Sequence, residues 1–82
     1  MSKGKIRIED ILKAIAAVTD DLTGYANTKD IVLECGDKFP NVHMMTVLAI
    51  MGGMKRDGLV MYKASEMAWQ MTADGRRRMR NG

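Results

Sequence analysis

The chain has 82 residues, 46% hydrophobic and 28% charged, with one cysteine and a formal net charge of +3. That length excludes two separate cores, and a domain of this size buries only roughly 60% of its unfolded surface, so self-association or a partner is expected. The composition excludes a disordered chain, and no apolar run approaches the roughly 20 residues of a membrane helix. Cys35 alone cannot form an internal disulfide; with no signal-peptide pattern at the start, it points to a reducing, cytoplasmic setting.

The distribution of charge says more than its sum. All ten acids lie between Glu9 and Asp74, a stretch holding only six bases, so the body carries −4. The remaining bases sit at the ends: Lys3, Lys5 and Arg7 in front, Arg76, Arg77, Arg78 and Arg80 behind. The chain is therefore expected to be one domain over 1–82 with a basic N-terminal arm (1–7) and an Arg-rich C-terminal end (76–82). Attraction to a polyanion has to come mostly from those ends.

In chain order, Ile8, Ile11, Leu12, Ile15, Val18 and Leu22 have the spacing of one helix face, so a first helix is expected over 8–22, with Gly24 as its stop. Glu9 and Asp10 suit its first turn. Asn27 or Thr28 can cap a second, short helix, in which Ile31, Val32, Cys35 and Phe39 face inward, and Pro40 ends the helical pattern at or before Phe39. Asn41 is the expected cap of a third helix, "VHMMTVLAIMGGMKRD", with Val47, Ile50, Met51 and Met54 as its core stripe and Gly58 just past its end. "GLVMYK", a polar "ASE" and "MAWQM" then predict two short strands in a hairpin.

Two stretches carry a resemblance. "MKRDGLV" at 54–60 and "WQMTADGR" at 69–76 resemble the end of the third helix and the returning wing strand of winged helix-turn-helix domains, over essentially Ile8 to Arg80. The fold expected is thus α+β and mainly helical: a winged helix of three helices plus a two-stranded β-hairpin wing. Gly58 permits the left-handed turn from helix to strand. Trp69 and Met71 point inward, and Thr72 caps a final short helical turn. The resemblance implies that the third helix enters the major groove of DNA while the wing touches backbone or minor groove.

The face of the third helix opposite its core stripe holds Met45, Thr46, Ala49, Gly52 and Gly53, with His43 near its start and Lys55 and Arg56 near its end. No Arg, Lys, Asn or Gln stands between Val42 and Met54, so base readout falls to Thr46, through its hydroxyl or methyl, and to Ala49 against a thymine methyl. Gly52 and Gly53 cost a helix about 1 kcal/mol each relative to alanine. They are either a tolerated surface defect or a place where the helix comes close to something flat. His43 has no metal-ligand spacing around it and is expected to face solvent or cap the helix. Lys63 offers a phosphate contact opposed by Glu66. Arg76, Arg77, Arg78 and Arg80 form either a solvated tail or a phosphate-binding one, and arginine suits phosphate well.

No glycine-rich phosphate loop or catalytic constellation is present, so no enzyme activity, cofactor or metal is expected. The expected function is a small transcriptional regulator binding duplex DNA, contacting phosphates with its basic ends and the major groove with the third helix. It would act alone, as a homodimer or with a protein partner, and away from membranes. The alternative is a protein-interaction module using Met44, Met45 and Leu48 on the third helix.

Overall fold

The protein is described by a computed structural model covering residues 5–82; Lys3 of the expected basic arm lies outside them. The first helix, α1 (Ile8–Val18), starts where Arg7 turns extended and donates its N–H to Asp10 Oδ2 at 2.9 Å. Ile11, Leu12, Ala14 and Ile15 are buried along it. The helix stops four residues short of the expected Leu22. Asp20 accounts for this: its carboxylate accepts the N–H of Leu22 (2.7 Å) and its carbonyl that of Gly24 (2.7 Å), closing a turn with Gly24 at φ +77°. Local side-chain bonding of this kind competes with the helical ladder. Leu22 matches the helical period, yet it is 95% exposed.

A two-residue strand, β1 (Ala26–Asn27), follows and leads into α2 (Thr28–Lys38). The Asn27 side chain caps α2 by accepting the Lys29 N–H at 2.9 Å, as expected. Ile31 and Cys35 bury its inner face, and Phe39 closes it by donating its N–H to the Cys35 carbonyl at 2.8 Å. The third helix, α3 (Met44–Arg56), buries Val47, Met51 and Met54, with Ile50 half-buried. Gly58, at φ +79°, turns the chain out of α3 as expected.

The hairpin consists of β2 (Val60–Lys63), one 3-10 turn (Ala64–Glu66) and β3 (Ala68–Met71). Its register pairs Val60 with Met71 and Tyr62 with Trp69. β1 adds to the other edge of β3, with Ala26 opposite Trp69, so the antiparallel sheet has the order β1-β3-β2. Trp69 and Met71 are buried. Trp69 Nε1–H donates to Thr28 Oγ1 at 2.7 Å and its ring lies 4.5 Å from that of Tyr62, centroid to centroid.

The chain ends in α4 (Ala73–Asn81), a full helix where only a short turn was expected. Thr72 caps it: Oγ1 accepts the Gly75 N–H at 3.1 Å and donates towards the carbonyls of Gly58 (2.7 Å) and Leu59 (3.0 Å). The fold is thus α+β and mainly helical. It contains the three expected helices and the expected hairpin, and adds a fourth helix and a third strand. α1 lies at the centre, packed on α2, α3, α4 and β3. No helix among the described residues is long and apolar enough to cross a membrane.

Candidate nucleic-acid interface

α3 begins at His43, two residues later than the expected Asn41 cap. Asn41 is used in the preceding turn, which the Val42 N–H closes on the Phe39 carbonyl at 3.0 Å. His43 Nδ1 accepts the Met45 N–H at 3.0 Å. A capping Nδ1 carries no proton, so the neutral ring holds its proton on Nε2, as a donor free of the cap. His43 is therefore the capping histidine the sequence suggested.

Beyond the cap, Met45, Thr46, Ala49 and Gly52 are all exposed, and Gly53 is half-buried. The core stripe and the outward face fall where the spacing put them. A Cβ on Gly52 would meet nothing within 4 Å, and one on Gly53 only the Arg56 guanidinium at 3.5 Å. Internal packing therefore does not require either glycine.

Charge singles α3 out. Among the four helices it is the one without a carboxylate, since α1 carries Glu9 and Asp10, α2 Asp30, Glu34 and Asp37, and α4 Asp74. At its N-terminal end Lys5 joins His43 and Thr46 around a shallow hollow of about 410 Å³. At its C-terminal end Lys55 and Arg56 are exposed, with Lys55 Nζ 5.6 Å over the Tyr62 ring. A cation thus stands at each end of a helix with no acid inside it, and the exposed Asp57 caps its C-terminal end beside Lys55 and Arg56. Lys5 belongs to the basic N-terminal arm read from the sequence, but its place beside Thr46 was not foreseen. Nothing in the spacing tells which helix the N-terminal segment crosses.

The other expected contacts are more engaged. Lys63 Nζ lies 3.2 Å from Glu66 Oε2 and 5.5 Å over the Tyr25 ring, so its charge is largely spent within the hairpin tip. Arg76, Arg77, Arg78 and Arg80 are not a tail but part of α4, which packs on α1 and β3. Arg76 donates to the Met71 carbonyl (3.3 Å), Arg77 pairs with Asp74 (3.1 Å) and Arg78 with Glu9 (2.8 Å). Arg80 has no ion-pair partner among the described residues. The hydrogen bond from Arg78 holds the Glu9 carboxyl below its ordinary range, helped by the Glu9 backbone and by the charges of Arg78 and Arg7. Arg7 and Arg78 therefore flank one carboxylate, and Lys5 sits two residues before Arg7. Arg7 Nε also lies 4.0 Å from Asp10 Oδ2, so the bases between the start of α3 and α4 are interleaved with Glu9 and Asp10.

Among the described residues no group of three His, Cys, Asp or Glu is placed to hold a metal ion. The Cys35 thiol is pushed up to about 11 by burial first, then by the charges of Glu34 and Asp10, so at neutral pH it is a protonated core group. No family model, curated protein or solved structure matches the chain. The outward face of α3 offers small and apolar side chains, with Lys5 at one end and Lys55, Arg56 and the exposed Asp57 at the other.

Proposed function

We propose that the chain is a winged helix-turn-helix domain that binds duplex DNA, in the manner of a small transcriptional regulator. The observation that carries the proposal is the acid-free, exposed helix α3, set between Lys5 and Lys55–Arg56 in a body whose residues 9–74 carry −4. A polyanion meets least repulsion along this helix. Gly52, Ala49 and Thr46 allow its backbone to come close to a groove wall, while Arg56 at one end and Lys5 and His43 Nε2 at the other are positioned for phosphates. Arg80, with no ion-pair partner among the described residues, adds to this charge, while Arg7, Arg76, Arg77 and Arg78 contribute less because Asp10, the Met71 carbonyl, Asp74 and Glu9 engage them. Lys63 is a minor contributor because Glu66 holds it. With no Arg, Lys, Asn or Gln before Lys55 on α3, affinity rests on backbone contacts and DNA shape more than on base-edge hydrogen bonds.

Met45, at 61% exposure, and Met44, at 51%, favour a second reading in which α3 docks on a protein. Fluorescence anisotropy with a mixed-sequence duplex separates the two. Thr46→Glu and Ala49→Glu change exposed positions and leave the core intact, so circular dichroism stays unchanged. Each is expected to weaken duplex binding at least tenfold by setting a carboxylate against phosphates. If both variants bind as wild type does, α3 does not meet the DNA and the proposal is wrong.

A further inference from the structure

Met45, Ala49, Gly52 and Arg56 follow one line down the outside of α3, at the spacing that keeps helical residues on one face, and Thr46 and Gly53 flank that line. Met45 is 61% exposed, and Thr46, Ala49 and Gly52 are exposed beside it. From Met45 to Gly52 the surface is therefore a thioether chain, the methyl of Ala49, the methyl and hydroxyl of Thr46, and bare backbone at Gly52. Side chains with several hydrogen-bonding atoms begin only in the last turn, with Lys55 and Arg56, and the Asp57 cap follows them.

Such a surface treats the four bases unequally. In the major groove guanine presents two acceptors, O6 and N7, cytosine an amino donor, adenine one of each, and thymine an acceptor beside a C5-methyl group. A methyl that meets Met45, Ala49 or the Thr46 methyl loses its water without polar cost, and burying one such group favours a complex about fourfold. Guanine acceptors pressed against the same atoms give up water without gaining a partner, which disfavours the complex. The single Thr46 hydroxyl is too little for a row of C·G pairs. Lying along the groove, residues 45–52 rise about 10 Å, the height of about three base pairs, so two or three methyls can be met at once. At Gly52 a Cβ would touch nothing within 4 Å, and its absence lets the line of side chains approach the groove floor unobstructed.

We propose that the outward face of α3 selects duplexes by the C5-methyl groups of their pyrimidines, and hence thymine-rich DNA, with Met45, Thr46 and Ala49 as the residues that meet those methyls. Resting on the reading that α3 enters the major groove, this selection adds what that groove must contain. Lys5, Lys55 and Arg56 attract any duplex, and the methyls distinguish one duplex from another. Cytosine methylated at C5 presents the same group at the same place. Its guanine partner keeps both acceptors, so methylation of C·G pairs recovers only part of the preference.

Anisotropy with four labelled duplexes of equal length tests this. One is rich in A·T pairs of mixed order, the second has deoxyuridine in place of thymidine, the third is rich in C·G pairs, and the fourth carries 5-methylcytosine throughout. Uracil keeps every hydrogen-bonding atom and drops only the methyls, which separates methyl contact from a preference for DNA shape. The thymine duplex is expected to bind about tenfold tighter than the uracil duplex, and methylation to tighten the C·G duplex by about two- to fourfold. Thr46→Ser/Ala49→Ser removes one methyl and adds a hydroxyl to the other at two exposed positions, with circular dichroism to verify folding. It is expected to lower the thymine-to-uracil ratio about threefold or more and to leave affinity for the uracil duplex near that of wild type. Equal binding of the thymine and uracil duplexes overturns the methyl selection while the DNA reading stands, whereas no binding to any of the four overturns both. A ratio that survives the double substitution overturns the assignment to α3. Tighter binding of the unmethylated C·G duplex than of the A·T duplex overturns the selection as well, and gives base readout to Arg56.

Discussion

At the scale of single residues, the glycines divide by what surrounds them. A Cβ on Gly75 would overlap the Leu59 carbonyl oxygen and stand 2.7 Å from Met71 Cγ, so α4 can lie against the end of α3 and the sheet only with glycine there. Gly75→Ala is expected to destabilise the fold by about 2–3 kcal/mol through overpacking. Gly52→Ala is expected to stabilise it by up to about 1 kcal/mol, because the helix gains propensity and the methyl enters open space. Denaturant titration of both variants checks the pair, and equal destabilisation would contradict it. Under the DNA proposal the Gly52→Ala protein is also more stable yet binds duplex more weakly. Cys35 gives a second test at this scale. Its thiol, raised to about 11, should react slowly with Ellman's reagent in the native protein at neutral pH and promptly after unfolding. The neutral buried thiol also contributes stability that is full below the unfolded value of about 8.5 and is lost as pH rises towards about 11.

Between elements, the clasp of α1 and α4 is the contact with a pH signature. Arg78 Nε donates to Glu9 Oε2 at 2.8 Å, and the lowered Glu9 carboxyl reflects it. A carboxyl whose folded value is depressed adds stability above the unfolded value of about 4.3, and that stability is lost as pH falls through the lower folded value. Glu9→Gln is therefore expected to flatten the acid limb of the stability profile below about pH 4.5 while leaving its alkaline side unchanged; an unchanged acid limb would show that the clasp contributes nothing. Little of this contact was legible in the sequence. The three core helices and the hairpin could be read because their apolar residues repeat at helical or strand spacing. The Thr72 cap and a helical turn after it were read, but the full length and docking of α4 were not, because Arg76, Arg77, Arg78 and Arg80 outnumber its one half-buried apolar residue, Met79, and its anchor Glu9 lies 69 residues before Arg78. β1 is two residues long and exists only through pairing with β3. The end of α1 was misplaced because Leu22 fits the helical period while Asp20 makes the turn. The outward face of α3 followed from spacing alone. The approach of Lys5 to His43 and Thr46 did not, since it depends on tertiary packing.

For the whole molecule, size limits what one copy can do on DNA. Its longest dimension is 36 Å, about one turn of B-form duplex, so a single domain spans a handful of phosphates. With about four of them neutralised by the bases of α3, of the segment before α1 and of α4, the slope of log affinity against log salt should fall between about −3 and −4. Restricted contacts and an α3 poor in base-reading side chains also make two copies on one duplex advantageous, which is how a dimer would add to affinity without new contacts within either copy. The most direct measurement is anisotropy of a labelled mixed-sequence duplex at several salt concentrations, for wild type beside a Lys5→Ala/Arg56→Ala variant. Binding with a slope near −4, reduced by about two in the variant, is the result expected. Absence of binding at low salt, or a slope the two substitutions leave unchanged, would contradict the claim that α3 and its flanking bases receive DNA.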